Sequence, residues 1–136
     1  MPLIQWNEQI SVGIDQFDND HKYLITLLNS LFDGINAGRG PQSLAYILEE
    51  LLEYTETHFA REEAEMQRLG YPDFDSHKAQ HAMLTGRVYD IQRQVAAGAS
   101  SALSKEAVEF LNNWLVGHIQ GTDKGYMPFF AAHGVR

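Results

Sequence analysis

The sequence predicts an all-α protein, an up-down-up-down antiparallel four-helix bundle. Three observations carry this. Apolar residues recur three and four apart in four separate stretches, the period of one helix face. Short Gly- and Pro-containing breaks divide the stretches, which favours antiparallel neighbours. No segment alternates apolar and polar residues for more than a few positions.

The first seventeen residues read as an ordered arm that lays Trp6, Val12, Ile14 and Phe17 on the bundle. A first helix is predicted over about 18–38, with the Asp18 carboxylate as its cap and Leu24, Leu27, Leu28, Leu31 and Ile35 on one stripe. Gly38-Arg39-Gly40-Pro41 breaks it, Gly suiting a helix end and Pro the next first turn. The second, over about 41–66, carries Leu44, Ile47, Leu48, Leu51, Leu52 and Tyr54, and stops before Gly70-Tyr71-Pro72. The third, over 74–97, starts after Asp73 or Asp75 and carries Leu84, Val88, Ile91 and Val95 towards Gly98. The fourth, over 104–122, starts near Ser104 and carries Val108, Leu111, Trp114 and Leu115. Met127 to Arg136 read as a short tail with Phe129 and Phe130 docked. Residues 1–136 are thus expected to form a single domain.

Composition narrows the function. At 136 residues, 44% hydrophobic and 21% charged, the chain can bury one ordinary core. Its 10 basic against 18 acidic residues give a net charge of −8, a poor match to a phosphate backbone, so nucleic acid is not an expected partner. Without cysteine, disulfides, thiolate metal sites and thiol catalysis are excluded. The apolar runs are too short for a membrane span or a signal-peptide core, and a cytoplasmic monomer is expected.

Histidine is the conspicuous residue. Six occur: His21, His58, His77, His81, His118 and His133. Residues four apart lie about 40° apart around a helix, so His58 with Glu62, and His77 with His81, each aim two ligand atoms at one place. Both pairs continue apolar stripes. His21 shares the Leu24–Leu28 face and His118 the Leu111–Leu115 face, so all four helices offer imidazole to one interior, and the fourth also carries Asp123. Any one of these histidines alone would read as core or surface. Five in one core would each need a partner, at a cost of about 1–3 kcal/mol for each group left unpaired. Metal ions take a lone pair from every ring. Seven ligands exceed the needs of one first-row ion but suit two ions sharing bridges, and the carboxylates of Glu62 and Asp123 are the natural bridges. Donor type alone leaves a di-iron centre and a pair of hydrolytic zincs both open.

The order and spacing of these residues narrow the choice. His21, His58-Phe59-Ala60-Arg61-Glu62, His77-x-x-x-His81 and His118-Ile119-Gln120-Gly121-Thr122-Asp123 resemble the hemerythrin signature in its chain order. Trp6, Asp15, Leu24, Trp114 and Tyr126 match further positions, and the similarity runs from about residue 4 to residue 130. The resemblance is to the prokaryotic single-domain branch of that family. It implies a non-haem di-iron centre with an oxo or hydroxo bridge that binds dioxygen reversibly. His77, His81 and His118 would hold one iron together with Glu62, Asp123 and the bridge. His21 and His58 would hold the other and leave one position open for the gas. Leu24, Leu28, Phe59, Trp114, Leu115 and Ile119 are the candidates for an apolar pocket over that position. Ferritin-like di-iron sites carry four Glu and two His; five imidazoles with two carboxylates favour holding oxygen over cleaving it. The expectation is an oxygen carrier for storage, transport or delivery to an oxygen-consuming enzyme, not itself an enzyme. A di-iron oxidase, peroxidase or nitric-oxide-consuming enzyme is the alternative, and a sensor module a third.

One residue breaks the helical arithmetic. His118 and Asp123 are five apart, about 140° around an ideal helix, where Thr122 would share the His118 face. The family pattern selects Asp123, so a π-bulge or local widening near Gly121 is expected. Asp20, Gln80 and Tyr126 fall near ligands and could orient them or simply pack. Glu63 and Glu65 are expected in solvent. His133 has no partner at helical spacing and is left outside the site.

Overall fold

The structure, a computed structural model, describes residues 5–98 and 103–135, with backbone alone at 41–42. Four long helices, α1 (Asp15–Asn36), α2 (Pro41–Leu69), α3 (Phe74–Ala96) and α4 (Lys105–Gly121), are followed by a short α5 (Met127–Ala132). α1 packs on α2 and α4, and α3 packs on the same two, so the four close into a ring. No strand occurs among the described residues, and none of their helices is long and apolar enough to cross a membrane.

The sequence signals explain most of the element ends. Ser104 caps α4 by accepting the Ala107 N–H at 3.1 Å. Gly70 ends α2 in the left-handed region, at φ 73°, with the Tyr71 N–H returning to the Met66 carbonyl at 2.8 Å. Between the first two helices, a Cβ on Gly34 would lie 2.5 Å from Leu44 Cδ2, so glycine lets α1 and α2 approach closely.

Two ends differ from expectation. α1 starts at Asp15, and Asp18 does not cap it. The Asp18 carboxylate instead reaches back to the arm, taking the Val12 N–H at 2.8 Å and the Ser11 hydroxyl at 2.5 Å. The chain before the helix would otherwise carry a buried, unpaired N–H, and the carboxylate resolves this. The arm itself includes a 3-10 turn at Glu8–Ile10 and buries Ile10, Val12 and Ile14. The C-terminal segment is not a bare tail either. Met127–Ala132 is helical and buries Phe130 completely, its ring 4.7 Å from that of Tyr126.

Seen along its axis, the interior is a series of four-residue layers, one residue from each helix. His21, His58, His81 and His118 form one. A turn away come Leu24, Thr55, Leu84 and Leu115, then Leu28, Leu51, Val88 and Leu111, then Leu31, Leu48, Ile91 and Val108, all buried. Each step is three or four residues, alternating in direction as antiparallel helices require. A buried aliphatic side chain contributes about 1.5–3 kcal/mol of hydrophobic stabilisation. The apolar layers therefore hold the register in which the polar layer must meet.

Candidate metal centre

The polar layer is continuous with the next one down, where Glu62 and His77 lie one turn from His58 and His81. His21, His58, Glu62, His77, His81, His118 and Asp123 are all buried, with at most 5% of any residue exposed. They fall into two donor groups. Glu62, His77, His81, His118 and Asp123 form one, and His21, His58, Glu62 and Asp123 the other, the ligand atoms of each within 4.8 Å of one another.

The two carboxylates belong to both groups, and their oxygens divide between them. Glu62 Oε1 lies 3.5 Å from His77 Nε2 and 3.2 Å from His81 Nε2, whereas Oε2 lies 3.5 Å from His21 Nε2 and 3.3 Å from His58 Nε2. Asp123 turns Oδ1 to His77 and His118, at 2.8 and 3.0 Å, and Oδ2 to His21 at 3.2 Å.

Asp123 gets there by a route other than a π-bulge. α4 ends at Gly121, Thr122 closes it with its N–H on the His118 carbonyl at 2.7 Å, and Asp123–Tyr126 form a 3-10 turn. The chain leaves the α4 axis at Thr122, so angular arithmetic along that axis no longer applies. Asp123 faces the histidines while Thr122 donates its hydroxyl to Gln80 Oε1 at 3.1 Å.

Around the donors, a second set of side chains sets the rings. His58 Nδ1–H donates to Asp20 Oδ2 at 2.8 Å, and His118 Nδ1–H to Gln80 Oε1 at 2.9 Å. His81 Nδ1–H donates to Glu63 Oε2 at 2.9 Å, so Glu63 is no solvated bystander. Its signal was masked by the acidic run Glu62-Glu63, in which only the packing of α3 on α2 separates the two roles. The Tyr126 hydroxyl donates to Glu62 Oε2 at 2.7 Å. Glu65 pairs with Arg68 on the surface, and His133 is exposed, its Nδ1–H on the Phe129 carbonyl at 2.8 Å.

With Nδ1 as donor, a neutral imidazole presents a bare lone pair at Nε2. His81 and His118 bring two such atoms within 3.1 Å of each other. His21 Nε2, His58 Nε2, His77 Nε2, Glu62 Oε1 and Asp123 Oδ1 are buried without a hydrogen-bond partner. So many acceptors facing one another repel, and only positive charge reconciles them. The electrostatics say the same. Burial opposes charge on His21, yet the Asp123 and Glu62 carboxylates lift its pKa to about 10. His77 is lifted to about 9 against burial by the same two groups. Burial pushes Glu62 up, but His58 and the facing rings hold it well below the carboxylate range, and Asp123 is likewise held low. The donor set, five nitrogens and two carboxylates, fits two cations of the imidazole-binding first row.

Of the residues expected in an apolar pocket, Leu24, Leu28 and Leu115 line a cavity with Leu51, Thr55, Leu84, Val88 and Leu111. It holds about 10 Å3, near the threshold for one water-sized molecule. The other three sit elsewhere. Phe59 stacks on His81 with centroids 3.7 Å apart, Trp114 on His118 at 4.6 Å, and Ile119 is buried in the core.

Comparison with known proteins agrees with this geometry. The family model described as hemerythrin HHE cation binding domain matches residues 12–130. The bacteriohemerythrin of Methylococcus capsulatus is 34% identical over 133 residues, covering 97% of this chain and all of the relative. The myohemerythrin of Theromyzon tessulatum is 32% identical over 90% of this chain and 89% of its own. A crystal structure of wild-type hemerythrin superposes with a TM-score of 0.85 at 34% identity, covering 93% of this chain and 96% of that one. With one family model matching most of its length and relatives of this identity and coverage, the chain belongs to the hemerythrin family.

Proposed function

We propose that this chain binds dioxygen reversibly at a pair of iron ions held by His21, His58, Glu62, His77, His81, His118 and Asp123. The observation that carries the reading is the division of each carboxylate between the two donor groups, Glu62 by Oε1 and Oε2 and Asp123 by Oδ1 and Oδ2. Two such carboxylates would let two ions be held side by side. His77, His81 and His118 complete one position with five protein donors, while His21 and His58 give the other only four. A pair of ferrous ions held there, with an oxo or hydroxo bridge, would supply two electrons to a bound gas and recover them on release.

The protein's part is to orient and to exclude. Asp20, Glu63 and Gln80 fix three rings with Nε2 inward, and Tyr126 fixes Glu62. The cavity layer lies one turn from the histidines, with Leu24 above His21 and Leu115 above His118. Apolar walls keep out the water that would carry protons to the bound gas and release it in reduced form. In this reading the chain is a carrier rather than an enzyme, working as a cytoplasmic monomer that can supply an oxygen-consuming enzyme.

The test is an optical titration of the reduced, iron-loaded protein. Admitting dioxygen should raise visible charge-transfer absorption, and removing it should restore the starting spectrum over repeated cycles. Steady oxygen consumption with added reductant would instead mark an enzyme, and a chain holding fewer than two irons would reject the centre.

A further inference from the structure

Beyond the donor set, a line of tyrosines runs from the His58 side of the site to the surface. The Tyr54 hydroxyl donates at 2.7 Å to Asp20 Oδ1, on the carboxylate whose other oxygen takes the His58 Nδ1–H. The Tyr54 ring meets that of Tyr23 edge-on, with centroids 4.5 Å apart. The Tyr23 hydroxyl in turn donates to Glu50. One turn before Glu50 stands Tyr46, 74% exposed. Tyr46, Glu50, Tyr54 and His58 are successive four-residue steps along α2, so the helix itself sets the line.

A tyrosine–carboxylate bond beside a ligand has an ordinary explanation: it helps hold Asp20. That explains Tyr54, which shares Asp20 Oδ1 with Arg61 and Gln16. It does not explain a second phenol in ring contact with the first and bonded to its own carboxylate. Removing one electron from a phenol makes its O–H strongly acidic, so oxidation is easy only where a base takes the proton in the same event. Tyr54 and Tyr23 each have that base, and the ring contact gives the electron its path. Both stay protonated through neutral pH: the Glu50 hydrogen bond lifts Tyr23 to about 12, and burial with Asp20 raises Tyr54. Tyr126 also donates to a carboxylate, Glu62, but it is fully buried, and its neighbours Phe17 and Phe130 give an oxidised ring no path outward.

We propose that Tyr54 and Tyr23 form a one-electron relay that draws oxidising equivalents out of the centre towards the surface when the iron-loaded protein meets hydrogen peroxide. The proposal rests on the di-iron reading above. For each peroxide, one O–O bond and two phenolic O–H bonds break and two waters form. The irons are ferric before and after, so the two electrons come from Tyr54 and Tyr23, which become neutral phenoxyl radicals. Their protons pass to Asp20 and Glu50, and two protons from solvent complete the waters. The relay competes with Tyr126, bonded to Glu62, and with Trp114, stacked on His118, and leads outward where they do not.

The experiment uses the full chain loaded to two irons and fully oxidised to the ferric state, then mixed with hydrogen peroxide and frozen for electron paramagnetic resonance. A tyrosyl signal is expected, and none from the zinc-loaded chain. Tyr54→Phe should cut the signal several-fold. Should that variant lose iron, Tyr23→Phe decides, because Tyr23 does not touch Asp20: it should roughly halve the radical yield. Dityrosine fluorescence and covalent dimers should follow in the wild type and fall several-fold in Tyr46→Phe. A signal of undiminished size in the double variant Tyr54→Phe, Tyr23→Phe, or a tryptophan-type radical lost in Trp114→Phe, would overturn the relay. Two irons and reversible oxygen bands without any tyrosyl signal would overturn the relay alone; a chain that binds no iron would overturn both readings.

Discussion

Asp20 shows how much chemistry one buried side chain can organise. It is fully buried, and its two oxygens take hydrogen bonds from His58, Tyr54, Arg61 and Gln16. Burial pushes its pKa up, but the His58, Tyr54 and Arg61 contacts bring it down to about 2, so it remains a carboxylate at any physiological pH. Not all of the clustered rings are supported so fully: His21 Nδ1 is buried without a hydrogen-bond partner. At this scale the ligand assignment has a direct check. His77→Ala removes a donor from the five-donor group and should lower bound iron below two per chain by metal analysis, whereas His133→Ala, exposed and remote, should leave two. The titrations give a second expectation. In the metal-free chain His21 and His77 are raised from an ordinary 6.5 to about 10 and about 9, so the charged rings stabilise the fold. That contribution is whole below pH 6.5 and drains away as pH rises through 9 and 10. The melting temperature of the metal-free protein should therefore fall steadily from pH 7 to pH 10. Equal melting temperatures across that range would contradict it.

Among the elements, the clearest in the sequence were those built by period. The i, i+4 pairs His58/Glu62 and His77/His81 needed only helical geometry to be paired, and the leucine stripes fixed which way they faced. Asp123 was beyond that reach, because its direction depends on where α4 stops and a 3-10 turn begins. Only the family pattern had selected it over Thr122. The short helix α5 was hidden for a related reason: six residues are too few for a periodic signal, and its stability comes from burying Phe130. Asp18 looked like a cap because an acid at a helix start usually is one, yet its partner lies behind it in the arm. The α1–α2 contact yields a prediction of its own. Gly34→Ala would drive a methyl into the end of the buried Leu44 side chain, and overpacking of about 1–3 kcal/mol less a helix-propensity gain of about 1 kcal/mol should leave a net cost of about 1 kcal/mol in a denaturant unfolding series. No loss of stability would mean that the helices separate freely there.

For the molecule as a whole, the two halves of the interior answer to different forces. The leucine layers hold by exclusion of water, while the layers of His21, His58, Glu62 and His77 hold carboxylates and rings together through positive charge, from protons in the metal-free chain and from metal ions when they are bound. Ions that bind only the folded chain stabilise it by mass action. Stripping the metal should thus lower the melting temperature by several degrees while the helical signal in circular dichroism persists at 25 °C, since the apolar layers remain. Collapse to an unfolded chain on chelation would show instead that the metal is required to assemble the bundle.

The unequal grip of the two donor groups reaches further than the gas it serves. Five side chains surround one berth and four the other, and Glu62 and Asp123 belong to both. Filling should be sequential, with the better-furnished berth taken at low concentration and the second only in excess, giving two breaks in a titration curve. A half-filled intermediate of that kind could be completed with a different element, so that the same polypeptide becomes a vessel for ordered, mixed pairs of metals.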